Sequence, residues 1–343
     1  MTGAAATAGR LTALRALLAD DGLGAIVVTD AANVRYLTGY VGSNGTAVVS
    51  GEAAVLLTDS RYAVSARAQV TDAEVVIGSR DLLGDIARIA RDLAGEGPVA
   101  VEAESVTLAW HERFTGRLET TPRATRGLVE GLRLVKDAGE VALMRRAAAV
   151  ADEALAHVLS QGIVGRTERE VAFALHGAML DRGADDLSFP TIVAAGPRGA
   201  RPHAVPGTER IGAGQHRAPG PLPADLERIY TVCLEAQEAA LAAARPGISG
   251  ADLDAVARDH IAAAGFGDHF GHGLGHGVGL EIHEGPGVRP TATDALRAGM
   301  AITIEPGIYI EGAGGVRIED LVILTDDGCD IISGAPKTLT IVQ

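Results

Sequence analysis

Over its first 125 residues the chain alternates segments of helical leucine spacing with short runs of Ala, Val, Ile and Leu, a pattern that confines it to a layered α/β architecture. Residues 11–23 carry leucines at helical spacing, and Gly24 precedes Ala25-Ile26-Val27-Val28, which reads as a buried strand. Residues 48–49 and 54–58 are two further strands joined by the hairpin signal Ser50-Gly51-Glu52. Residues 61–70 and 81–94 are predicted helical and 74–77 and 98–102 extended, and the segment ends near Thr125. A long helix over 136–160 follows, with Val141, Met144, Ala148, Leu155 and Leu159 at helical spacing. Residues 167–182 form another, opened by a Thr167–Glu170 capping box and stopped by Gly183. Helices over 225–244 and 249–264 flank Arg245-Pro246-Gly247, and residues 299–343 are β-rich.

With 343 residues, 47% of them hydrophobic, the chain is long enough for two domains. Thirty basic against 44 acidic residues give a net charge of −14 with no Lys/Arg block, which argues against nucleic acid as a partner. Cys233 and Cys329 are too few for a disulfide framework or a Cys-based zinc site, as expected in a reducing cytoplasm. The opening MTGAAATAGR lacks the plan of an export signal, and no uninterrupted run of about 18 apolar residues exists. A cytoplasmic protein without a membrane partner is the expectation.

The densest chemistry lies at residues 270–286, FGHGLGHGVGLEIHEGP, where His272, His276 and His283 stand among glycines. Neutral imidazole is a common metal ligand and acid/base group, and glycine lets backbone approach closely. A flexible surface loop with incidental histidines is the alternative. Two downstream carboxylates bear on the choice: Glu305 ends an apolar strand in AITIEPGIYI, and Glu319 is expected inside the strand GVRIEDLVILT. A carboxylate among buried β residues is costly unless paired or metal-bound. For Glu319 the plain alternative is a salt bridge with Arg317, two residues away and on the same strand face. One imidazole with two carboxylates is a hard donor set, suited to Mn, Co or Zn.

HGLGHGVGLEIHEGP, GMAITIEPGIYI and GGVRIEDLVILT, in that order, resemble the C-terminal signatures of the Xaa-Pro peptidases, the prolidase and aminopeptidase P branch of the pita-bread metallopeptidases. The likeness extends to FPTIVAAGPRGARPH at 189–203, and NVRYLTGYVGS at 33–43 with TDSRY at 58–62 resembles the creatinase/prolidase N-terminal domain, so nearly the whole chain is covered. The resemblance implies an α/β N-terminal creatinase-like domain over 1–126 and an α+β pita-bread domain over 127–343. It implies hydrolysis of Xaa-Pro peptides through metal-activated water, with His276, Glu305 and Glu319 as metal ligands. His203, His272, His283 and Arg317 match substrate-side and proton-transfer groups, and Glu305 also accepts the water's proton. A homodimer is implied, with the N-terminal domain helping to close the site and carrying no chemistry of its own; Arg35-Tyr36, read as a strand-loop region, is its only candidate.

The resemblance also implies two further Asp ligands on a DFGA…GYxSD hairpin, and these are missing. No Asp occurs from Thr208 to Ala224, where QHRAPGPLPA leads straight into the next helix. Two strands of about 5 or 6 residues with their turn and flanks amount to roughly 20 residues, so the domain is shortened near 214–216. Three readings follow: a deletion from an active parent, a metal-free pseudopeptidase that binds peptides without cleaving them, or a chain working with one metal or with histidine alone, as creatinase-like amidinohydrolases do. Persistence of both glutamates weighs against the creatinase-like case. At most one weakly held ion is expected, and His216 is the one local residue able to replace a lost ligand.

Overall fold

A computed structural model describes residues 4–212 and 224–338 of the chain. The stretch at 214–216 and His216 therefore lie outside the described residues. The chain divides into two compact units, Met1–Arg133 and Leu134–Gln343.

The first unit is α/β. Strands β1 (Ala25–Val28), β2 (Thr46–Ser50), β3 (Ala54–Thr58), β4 (Glu74–Ile77), β5 (Val99–Glu102) and β6 (Arg123–Thr125) form a sheet in the order β4-β3-β2-β1-β5-β6. The β1/β2 and β2/β3 pairs are antiparallel and the others parallel. Strands β1, β3 and β5 are buried along their whole length, which is why they read as continuous apolar runs. Helices α1 (Ala4–Asp20), α2 (Ala31–Thr38), α3 (Ala63–Gln69), α4 (Leu82–Ala94), α5 (Leu108–Leu118) and α6 (Leu128–Arg133) complete the unit. The boundary expected near Arg126 precedes α6, and α6 is tied into this unit: Tyr36 Oη donates to Leu132 O at 3.0 Å and Arg133 to Asn33 Oδ1 at 2.8 Å. Arg35 and Tyr36 lie in α2, not in a strand-loop segment as expected, because the Asp30 side chain caps a helix there. Tyr36 is buried, with the Arg10 guanidinium 4.2 Å above its ring, which is ordinary packing.

The second unit is α+β. Helices α7 (Ala138–Ser160), α8 (Glu168–Asp181), α9 (Ala224–Ala243) and α10 (Gly250–Ala263) precede strands β7 (Gly275–Gly277), β8 (Glu284–Val288), β9 (Ala301–Ile304), β10 (Gly307–Ile310), β11 (Gly314–Arg317), β12 (Asp320–Leu324) and β13 (Cys329–Ile331). The capping box Thr167–Glu170 forms as the sequence predicts. Five strands make a sheet in the order β13-β12-β9-β7-β8, and β10 and β11 form a separate antiparallel ribbon. Apolar side chains of α9, α10 and this sheet share one core, including Ile229, Cys233, Leu253, Ile261, Ile302 and Val322. Burial pushes the Cys233 thiol up to about 12, so it packs as a hydrophobe.

The topology of this unit sets up its chemistry. The chain leaves the five-stranded sheet after Ile304, enters the ribbon at Gly307, leaves it after Arg317 and returns at Asp320. Register pairs Ile304 with Asp320 and Gly307 with Arg317, so residues 305–306 lie opposite 318–319. Glu305 and Glu319 thus stand side by side at two sheet-switching points. The expectation that Glu319 lies inside a strand is corrected: residues 315–325 are not one strand, because β11 and β12 pair with different partners.

Candidate active site

His276 is brought to Glu305 by close backbone approach. A side chain at Gly275 would meet Thr303 O at 1.9 Å, and one at Gly277 would meet Gly285 O at 1.9 Å, so only glycine on either side of His276 lets β7 sit between β8 and β9. His276 N donates to Thr303 Oγ1 at 3.0 Å, and Glu305 N donates to Leu274 O at 2.8 Å. The preceding turn is held from α10: Arg258 donates to Phe270 O at 3.0 Å and His272 O at 2.7 Å, and Leu274 N donates to Asp254 Oδ1 at 2.8 Å.

A cavity of about 730 Å³ is lined by all seven residues singled out from the sequence, namely His203, His272, His276, His283, Glu305, Arg317 and Glu319. Phe189, Pro190, Pro202, Val205 and Pro206 supply an apolar lining from the irregular stretch between α8 and α9. Within the cavity, His276 Nε2 lies 3.1 Å from Glu305 Oε1, and Arg317 is 3.7 Å from Glu305 Oε2. Thr303 Oγ1 donates to the same Oε1 at 3.0 Å. The salt bridge between Arg317 and Glu319, weighed above as the plain alternative, is not the contact formed: Arg317 pairs with Glu305 across the β10/β11 ribbon junction, and Arg317 and Glu319 both line the cavity. The His276 and His283 rings meet edge to face at 4.3 Å.

Protonation follows from these contacts. Burial favours neutral His276, but the Glu305 carboxylate and the Gly277 carbonyl, one on each ring nitrogen, outweigh it and raise the pKa. Burial likewise opposes charge on Glu305, yet His276 and Arg317 hold its carboxyl below the usual range. Glu319 goes the other way: enclosure by protein and the adjacent Glu305 charge raise it to about 7, although water reaches it through the cavity. His272 is lowered by burial; its Nδ1 donates to Gly273 O at 2.8 Å, leaving Nε2 to accept from Tyr309 Oη at 3.1 Å. Tyr309, pushed up to about 12 by burial, keeps that proton.

The sequence reading missed Tyr309 and the groups that hold the cavity walls. Glu168, fully buried at the start of α8, accepts from Ala195 N at 2.9 Å, Gly207 N at 2.9 Å and Arg198 Nε at 3.0 Å. One carboxylate thereby pins both ends of the segment that carries Pro202 to Pro206. We expect Arg198→Lys to cost about 1–2 kcal/mol, because an ammonium reproduces only part of the guanidinium fork. Urea unfolding checks the cost, and a shift below about 0.5 kcal/mol would mean that the contact is dispensable.

Residues 142–216 and 218–326 match metallopeptidase family M24, and residues 10–135 match the creatinase/prolidase N-terminal domain. The chain belongs to metallopeptidase family M24. The uncharacterized peptidase YqhT of Bacillus subtilis is 37% identical over 355 residues, covering 97% of this chain and all of that protein. The Xaa-Pro dipeptidase of Pyrococcus horikoshii is 38% identical over 231 residues, covering 62% of this chain and 66% of that one. In three dimensions the Xaa-Pro dipeptidase from Bacillus anthracis has a TM-score of 0.94 at 34% identity, covering 98% of this chain and all of that one.

Proposed function

We propose that this chain binds Xaa-Pro peptides in the 730 Å³ cavity and acts on the Xaa-Pro amide as a peptidase. The observation that carries the reading is the gathering of four histidines, two glutamates and two arginines, Arg289 and Arg317, on that one cavity. The apolar wall from Phe189 to Pro206 suits a pyrrolidine ring, which has no N–H to satisfy. Arg317, His203 and His283 are the groups to receive the peptide's carboxylate and carbonyl oxygens. Glu305, held ionised by His276 and Arg317, is the proton acceptor for an attacking water, and His272 keeps a defined tautomer through Tyr309. A homodimer and a cytoplasmic location belong to the same reading; among the described residues no helix is long and apolar enough to cross a membrane.

Family chemistry implies a divalent cation of the Mn, Co or Zn kind, which when bound lowers the pKa of water and polarises the amide. His276, Glu305 and Glu319 are the donors of suitable type in the cavity. Among the described residues, however, no group of three or more His, Cys, Asp or Glu side chains is placed to hold an ion. His276 and Glu305 are bonded to each other, and three donors are too few to hold two ions, so the donor set does not fit a two-metal centre.

The test is binding and hydrolysis of Ala-Pro against Ala-Ala. Selective binding of the prolyl peptide is expected, with Glu305→Gln lowering kcat/KM about a hundredfold. Equal handling of the two peptides would remove proline recognition from this reading.

A further inference from the structure

The relatives carry chain that this protein lacks. The match to YqhT runs 355 positions while covering 97% of 343 residues, so about twenty positions of that alignment face no residue here. The Pyrococcus horikoshii dipeptidase match runs 231 positions over 62% of this chain, again an excess of about twenty. The family match itself is interrupted at Arg217. Each excess is the size of the missing hairpin, and the break in the family match falls in the second unit. What remains of sequence there, residues 208–224, contains only Glu209 and His216 among Asp, Glu, His and Cys. Glu209 is turned to Arg198, 3.6 Å away.

In the cavity Glu305 already has partners on both carboxylate oxygens. Oε1 of Glu305 accepts from Thr303 and His276, and its Oε2 faces Arg317. A cation entering between His276, Glu305 and Glu319 must break the His276–Glu305 bond and displace the guanidinium from Glu305. A three-donor site is already a minimal one, and here its donors have competing partners.

On the reading that this cavity is the metallopeptidase site, we infer that the chain holds at most one divalent cation, weakly, because its three donors are too few for two ions and Arg317 already pairs with one of them. Peptide recognition outlasts this loss, since Arg317, His203, His283 and the apolar wall are all present. The chain is then a proline-peptide binder whose turnover falls at least about a hundredfold below that of a relative with the segment.

The test uses the full-length chain, stripped with chelator, dialysed against Mn(II) or Co(II) and analysed by elemental mass spectrometry. No more than about one equivalent is expected, and lost on gel filtration; two retained equivalents overturn the inference. Arg317→Met should tighten Mn(II) binding about tenfold by calorimetry, and unchanged or weaker binding refutes the competition by the guanidinium. Inserting the segment of YqhT after Gly214 should raise the number of ions bound; a folded insertion variant with an unchanged count also overturns it. Ala-Pro binding by calorimetry is measured alongside. If it is missing while stoichiometry is as expected, the peptide reading fails and the metal inference stands.

Discussion

Lys136→Met is expected to lower the free energy of unfolding by about 3–5 kcal/mol. The Lys136 and Glu284 side chains are 1% and 8% exposed, with ammonium and carboxylate 2.6 Å apart. Removing the ammonium leaves the Glu284 charge in a low-dielectric surround without the cation that helped to offset its desolvation. The loss reaches the site because Glu284 opens β8, next to His283, and β8 pairs with the strand that carries His276. Adding Glu284→Met should recover most of the loss, since two apolar side chains of similar size carry no desolvation penalty. Urea unfolding followed by circular dichroism measures both, with hydrogen exchange on β8 as the local readout. A single variant costing under about 1 kcal/mol would mean that water reaches the pair.

Much of the fold was legible because the buried strands are short, apolar and punctuated by turn residues. Ala25 to Val28 and Ala54 to Thr58 form strands where the composition puts them, and Thr167, Asp137 and Ser249 cap helices that apolar spacing had already marked. α2 and α5 were not read, because α2 is only eight residues long and α5 buries only Phe114 and Leu118, so neither shows a long apolar stripe, and their starts are marked by side-chain caps at Asp30 and Thr107. The seven cavity residues were legible through motif resemblance, and the convergence of Glu305, Arg317 and Glu319 follows from two sheet-switching points. Partner choice was not legible. Whether Arg317 faces Glu305 or Glu319 depends on register between β10 and β11, which no spacing along one strand encodes. Glu168 and Arg198 are thirty residues apart across α8 and the irregular chain after it, so nothing local announces their pairing. Asp254 and Arg258, by contrast, stand at a helical i, i+4 spacing that the sequence offered and the reading passed over.

That last pair carries the other large expected effect. Asp254, 1% exposed, accepts from Arg258 Nε at 2.6 Å, from a second Arg258 nitrogen at 2.9 Å and from Leu274 N at 2.8 Å. Arg258 passes the restraint on to the carbonyls of Phe270 and His272, and its guanidinium lies 4.3 Å over the Phe270 ring. The turn before His276 is thus clamped to α10 through one carboxylate. Asp254→Ala removes the acceptor of three donors and leaves a partly buried guanidinium without its counter-charge, which should cost about 3–5 kcal/mol. Asp254→Asn retains one acceptor oxygen and should cost less, about 1–3 kcal/mol. The two variants separate stability from positioning. In Asp254→Asn, still folded, amide exchange at Leu274 and His276 should quicken and Ala-Pro binding weaken, because the His276–Glu305 contact depends on where that turn holds β7. If Asp254→Asn loses stability but leaves both readouts unmoved, the clamp is structural only, and β7 is held in place by its pairing with β8 and β9 alone.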